Sequence, residues 1–332
     1  MTETMSAPTP TPFEDAPLPF TPAVATATAE VRERLRDSVP DIEWPIVAPL
    51  IARIRELKRE RNAVILAHNY MTPSIFHGVA DLRGDSLALA QMAATTDADV
   101  IVLCGVHFMA ETAAVINPGK TVLIPDPKAG CSLAESITGA DVRALRAAHP
   151  GVPVVTYVNT SADVKAESDI CITSGNAVHI IESLGVPEVI FIPDQFLAAN
   201  VARQTGVKVI THPGACEVHE RFTPLDIRQV RADYPDGVTV LAHPECPPEV
   251  VDEADYAGST AQMINFVAEK RPKRVALITE CSMSDNVAQQ YPDVEFVRPC
   301  NLCPHMKRNT LAKIRHSLET MTHEVTIDPE VA

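Results

Sequence analysis

ADVIVLCGVHFMAETA, residues 98–113, decides the fold, because the chain repeats its plan twice more. PEVIFIPDQFLAANVA at 187–202 and KRVALITECSMSDNVA at 273–288 likewise read as an apolar run, a turn and a helical stretch reaching Ala. The closing alanines stand 89 and 86 residues apart. Self-similarity at a fixed period marks repeated units that pack on one another. Short continuous apolar runs alternating with helical stretches read as parallel strands covered by helices on both faces. The expected class is α/β.

Working outward, two more sets of segments keep the period. A Gly or Ser beside a hydroxyl or amide residue opens a helix at Gly84-Asp85-Ser86, Ser174-Gly175-Asn176 and Gly258-Ser259-Thr260. Earlier in each unit, strands end in polar residues: Ala67-His68-Asn69-Tyr70, Tyr157-Val158-Asn159-Thr160 and Ala242-His243-Pro244-Glu245. Each unit then closes with a strand, a Pro-containing loop and a cysteine, at Cys131, Cys216 and Cys303, spaced 85 and 87 residues apart. In open α/β sheets the binding crevice lies beyond the carboxyl ends of the strands. Three such units around a pseudo-threefold axis would aim three cysteines at one point.

One thiolate per unit suits a 4Fe-4S cluster with three irons held by protein and one left open, since soft sulfur selects iron–sulfur or zinc chemistry. Zinc is the competing metal, usually held by paired C-x2-C spacings or nearby histidines. Here the one C-x-x-C is Cys300-Asn-Leu-Cys303, and Cys216-Glu-Val-His219 offers a histidine. Cys104 and Cys171, in or beside apolar strands, read as ordinary core residues, and Cys246 and Cys281 as structural. Cys300 reads either as a labile disulfide partner of Cys303 when the cluster is absent or as a buried bystander. His68, Tyr70, Tyr157, Asn159, His243 and Glu245, at the strand ends, suit proton transfer and carbonyl polarisation. Ser86, Ser174, Ser259 and Thr260 lie at expected helix starts, where free N–H groups favour phosphate or carboxylate, or serve as plain caps. There is no G-x-G-x-x-G, and Gly119-Lys120-Thr121 lacks the P-loop's earlier glycine.

Composition bounds the rest. A chain of 332 residues with 46% hydrophobic content can bury a large core. A net charge of −15 makes a nucleic-acid partner unfavourable. No apolar run is long enough for a membrane span, and Glu3, Glu14 and Asp15 stand where a signal peptide would be basic. A soluble, non-secreted protein is expected. Six prolines in residues 1–28 suggest a disordered arm. Units are then expected at 29–135 (with N-terminal helices), 136–220 and 221–320, followed by a frayed tail at 321–332.

The motifs together resemble the quinolinate synthase family, the A protein of bacterial NAD biosynthesis. The resemblance is carried by the three strand-end segments, Gly84-Asp85-Ser86-Leu87, Phe108-Met109-Ala110-Glu111-Thr112-Ala113, Gly130-Cys131-Ser132-Leu133, Gly214-Ala215-Cys216-Glu217-Val218-His219-Glu220, His243-Pro244-Glu245-Cys246, Gly258-Ser259-Thr260 and Cys303-Pro304-His305-Met306-Lys307. It implies three similar three-layer αβα domains with parallel sheets around a central 4Fe-4S cluster on Cys131, Cys216 and Cys303. It further implies a cytoplasmic enzyme that condenses iminoaspartate with dihydroxyacetone phosphate to quinolinate, phosphate and water, supplied by an aspartate-oxidising enzyme. By the same resemblance His68, Tyr70, Tyr157, Asn159, His243 and Glu245 position the triose and exchange protons, while Ser86, Ser174 and Thr260 hold phosphate or carboxylates. Gly175 departs from the Ser or Ala common in the family. Two rival readings share the cluster: an iron–sulfur reductase of allylic diphosphates, and a non-catalytic iron–sulfur sensor.

Overall fold

The computed structural model describes residues 17–332. It contains three four-stranded sheets, all parallel within themselves. The first holds β1 (Ala63–His68), β2 (Leu82–Gly84), β3 (Val100–Cys104) and β4 (Thr121–Leu123) in the order β2-β1-β3-β4. The second holds β5 (Val154–Tyr157), β6 (Ile170–Ile172), β7 (Glu188–Ile192) and β8 (Lys208–Thr211) in the order β6-β5-β7-β8. The third repeats the order with β9 (Thr239–Ala242), β10 (Tyr256–Ala257), β11 (Arg274–Ile278) and β12 (Glu295–Val297). The three-unit α/β reading is borne out.

Alternation along the strands explains how each sheet is buried on both faces. In β7, Val189 and Phe191 enter a core shared with the first unit, whereas Ile190 and Ile192 join Val142, Val154 and Val164 in a local one. In β11, Val275 and Leu277 face the shared core, and Ala276 and Ile278 pack with Val240 and Val250. Each unit also carries an aspartate at one repeated place. Asp81, Asp169 and Asp255 accept the backbone N–H of Ile65, Val154 and Val240 at 2.7–2.8 Å, fixing the second strand beside the first.

The units are pinned to one another in a ring by one repeated helix position. Asn200, in helix Gln195–Thr205, donates through Nδ2 to the carbonyls of Pro244 and Cys246 at 2.9 and 3.0 Å. Asn286, in helix Ser282–Ala288, donates to the carbonyls of Asn69 and Met71 at 3.0 and 2.8 Å. The equivalent residue of helix His107–Ile116 is Glu111, whose carboxylate accepts the N–H of Ala162 at 2.9 Å. First holds second, second holds third, and third holds first. In two cases the segment gripped is the loop leaving a central strand, and in the third it is the start of helix Ala162–Ala166 that follows that loop.

The ends depart from expectation. Helix α1 (Pro22–Arg34) begins inside the segment read as a disordered arm, because Pro22 fits a first helical turn and Thr21 Oγ1 caps Val24 N at 3.3 Å. Residues 1–16 of that arm lie outside the described residues. Helix α2 (Trp44–Glu60) follows. Helix Leu311–Thr320 leaves the third unit and packs on α2, where Ile314 and Leu318 meet Ile51, Ile54 and Leu57 in one core and Arg53 Nε lies 3.2 Å from Glu319. The segment read as a frayed tail also docks: Ile124 N donates to His323 O, and Val325 N to Val122 O, at 3.1 and 2.8 Å, adding an antiparallel contact to β4. Among the described residues, no helix is long and apolar enough to cross a membrane.

Two cysteine expectations are corrected. Cys171 is exposed, since it lies on an edge strand, not in the core. Cys300 pairs neither with Cys303 nor with nothing: it is disulfide-bonded to Cys281, 19 residues away, because Glu280 and Asn301 form a bridge that sets the two loops side by side. Cys104 and Cys246 are buried as expected.

Alkylation of the denatured chain should therefore find six reactive thiols before reduction and two more after it, with mass mapping of the difference to Cys281 and Cys300. Asn200→Ala and Asn286→Ala each strand two buried carbonyls, and each should cost about 2–3 kcal/mol in denaturant unfolding. An exposed amide such as Gln229 replaced by Ala should cost under about 0.5 kcal/mol.

Candidate active site

The carboxyl ends of the central strands converge. His68 ends β1, Tyr157 ends β5, and His243 follows β9; two residues on come Tyr70, Asn159 and Glu245. All six line one cavity, together with Ser86, Ser174, Thr260 and the three cysteines Cys131, Cys216 and Cys303. Every residue that the resemblance marks as catalytic, substrate-binding or metal-ligating thus reaches the same space. Ser259 does not line it, because its hydroxyl is spent as the N-cap of helix Thr260–Lys270, accepting Gln262 N at 3.3 Å. Ser174 reaches the cavity from a turn and not from a helix start: helix Ala177–Ser183 begins later, behind Asn176. A Cβ on Gly175 would stand 3.2 Å from Ser259 Oγ, so glycine relieves crowding at this rim.

The cysteines share one local design. Each precedes a single helical turn, Ser132–Glu135, His219–Arg221 or Met306–Arg308. Backbone N–H groups two and three residues on favour the charged form of each sulfur: Leu133 and Ala134 for Cys131, Val218 and His219 for Cys216, His305 and Met306 for Cys303. Burial pushes the thiols up, to about 12 for Cys131 and about 11 for Cys303, and well above the ordinary value for Cys216. The paired N–H groups work the other way, as expected where sulfur is to carry charge. Three sulfurs from three units, each with backbone donors and all on one cavity, fit a cluster held by three thiolates better than ordinary core packing.

Facing the cysteines is a chain of polar contacts. Tyr70 OH lies 2.6 Å from Thr279 Oγ1, which lies 2.9 Å from His219 Nε2. His219 Nδ1 is 2.6 Å from Glu245 Oε2, while Asn159 donates to Oε1 at 3.3 Å. His219 also stacks on His243, with ring centroids 4.6 Å apart, and Ser174 Oγ lies 3.4 Å from His243 Nε2. Burial pushes the Glu245 carboxyl up, but the nearby His243 and His219 imidazoles and the Tyr157 hydroxyl outweigh it, holding it down at about 2. Burial lowers His68 to about 4 and His243 to about 3, so both rings are neutral near pH 7. Burial, with the Glu245 charge, raises Tyr70 and Tyr157 well above the ordinary phenol value.

Four supporting residues escaped the sequence reading. Thr279 and Glu280 follow β11, and Asp194 follows β7; His219 entered only as a candidate zinc donor. Asp194 accepts Cys216 N at 3.1 Å, as well as Phe196 N and Leu197 N. Burial and the Glu245 charge raise its carboxyl to about 8. Glu280, with no exposed surface, is neutralised by Lys307 Nζ at 2.7 Å and accepts Cys303 N at 3.4 Å. The signal was available, since Gly105, Asp194 and Glu280 occupy one place in the threefold repeat.

Comparison with known proteins places the sequence in a family. The family model described as quinolinate synthetase A protein covers residues 52–332. The chain is 65% identical over 309 residues to quinolinate synthase 2 of Mesorhizobium japonicum, covering 93% of this chain and 95% of that protein. It is 64% identical over 306 residues to the quinolinate synthase of Agrobacterium fabrum, covering 92% and 88% respectively. It is 68% identical over 282 residues to that of Xylella fastidiosa, covering 85% and 83%. On a match this long and relatives this similar, the chain belongs to the quinolinate synthetase A family.

Proposed function

We propose that the protein condenses iminoaspartate with dihydroxyacetone phosphate in the cytoplasm, releasing phosphate and two waters to leave quinolinate for NAD synthesis. We assign Cys131, Cys216 and Cys303 as the three ligands of a 4Fe-4S cluster with one open iron. When bound, the cluster supplies a Lewis acid for an oxygen that must leave as water. The observation that carries the reading is the meeting of one cysteine from each unit with six strand-end polar groups in a single cavity. The relatives' names favour it over an allylic diphosphate reductase or a sensor. Domains at 29–135, 136–220 and 221–320 remain our division of the chain, with helix Leu311–Thr320 packing back on the first.

The residues supply the rest. Ser86, Ser174 and Thr260 stand on the cavity wall with hydroxyls suited to phosphate or carboxylate oxygens. The neutral rings of His68 and His243 can give a hydrogen bond to a carbonyl without bringing charge into a buried site. A proton leaving Tyr70 passes to Thr279 Oγ1 as Thr279 gives its own to His219 Nε2, and Glu245 stabilises the imidazolium that results. Tyr70 is thereby a phenolate at the moment it removes a substrate proton, although burial holds its pKa well above the ordinary phenol value in the resting site. Asn159 orients Glu245, and Tyr157 hydrogen-bonds the same carboxylate. An enzyme that oxidises aspartate is the class of reaction that would supply the imine.

Cys131→Ser, Cys216→Ser and Cys303→Ser should each abolish the iron–sulfur absorbance at about 400 nm in anaerobically purified protein. A full cluster in any of the three would refute the ligand set. Tyr157→Phe and Glu245→Gln should keep that absorbance and lose about 100-fold or more of quinolinate formation, as proton-handling groups do. Unchanged turnover would remove them from the reaction.

A further inference from the structure

Cys216, His219 and Glu245 form a second constellation inside the site. One ligand atom from each, sulfur, nitrogen and oxygen, lies within 4.8 Å of the other two. His219 is 1% exposed, and the contact from Nε2 to Thr279 Oγ1 turns Nδ1 toward Glu245, whose Oε2 lies 2.6 Å away. Yet Nδ1 makes no hydrogen bond of acceptable angle, so a buried nitrogen faces a carboxylate without being satisfied by it. Tetrahedral zinc with bonds of about 2.0–2.3 Å separates its ligand atoms by about 3.3–3.7 Å. The spacing found, from 2.6 to 4.8 Å, brackets those edges, so small side-chain rotations complete the triangle.

We infer that the cluster-free protein binds one zinc ion at Cys216, His219 and Glu245, with water at the fourth position. Binding displaces the Cys216 thiol proton to solvent, and the thiolate, the imidazole lone pair and the carboxylate become ligands. The imidazole must then carry its proton on Nε2, donated to Thr279, and offer Nδ1 to the metal. That is the opposite tautomer to the one that accepts a proton from Thr279, so the ion silences the polar chain as well as claiming a cluster thiol. The second consequence rests on the cluster reading above; the zinc site itself does not. The ion competes with cluster assembly and does not support turnover.

The test uses the full-length chain isolated anaerobically without cluster, titrated with Zn2+ and, as a coloured stand-in, Co2+. One ion per chain is expected, with charge-transfer absorbance of a single thiolate, about one third of that from three. Cys131→Ser and Cys303→Ser should bind as the unaltered chain does, while Cys216→Ser and His219→Gln should bind more than about 100-fold more weakly. Zinc should slow recovery of the iron–sulfur absorbance in the unaltered chain and leave that of His219→Gln unaffected. A three-thiolate spectrum, loss of binding in Cys131→Ser, or no bound ion in the unaltered chain overturns the inference. The spectrum of the unaltered chain decides the matter even where a variant misfolds. Failure to rebuild a cluster without zinc counts against the cluster reading alone.

Discussion

What this structure depends on is the grip of each unit on the loop that leaves its neighbour's central strand. The carbonyls on those loops are buried, and a buried carbonyl without a donor is costly. Asn200 and Asn286 meet that demand from helices of the adjacent unit, so the same bonds that satisfy the backbone also set where His243, Glu245, His68 and Tyr70 stand. Register within each sheet, fixed by Asp81, Asp169 and Asp255, then carries the aim of the loops back to the hydrophobic cores. The shape of the cavity and the packing between units are one set of contacts.

The centre so formed is crowded with acids, which a buried region tolerates only if each has its own counterpart. Glu245 lies against two imidazoles and an amide, Glu280 against Lys307, and Asp194 against three backbone N–H groups. Different solutions at equivalent or nearby places of a repeat give the cavity unlike walls. Three copies of one scaffold thereby make a site with no threefold symmetry of its own, as an unsymmetrical reaction requires.

Local and periodic features were legible in the sequence. Strands β3, β7 and β11 announced themselves as apolar runs, and the spacing of Cys131, Cys216 and Cys303 matched the units closely enough to predict that the three converge. The resemblance added chemistry that spacing alone left open between iron–sulfur and zinc. What escaped depends on context that short spacings do not carry. Cys281 meets Cys300 because two loops of one unit run side by side, which no short-range spacing reveals. Thr279 looked like the end of a strand until Tyr70 and His219, from two other units, closed on its hydroxyl. The opening helix at Pro22 was hidden by its prolines, whose effect depends on whether they stand before a helix or inside one.

Helix Leu311–Thr320 and residues 323–325 complete the unit made first, covering α2 and extending the edge at β4. The opening third of the chain thus borrows its cover from residues far along the sequence: by itself it leaves an apolar flank and a strand edge bare, the kind of surface that pairs with another chain.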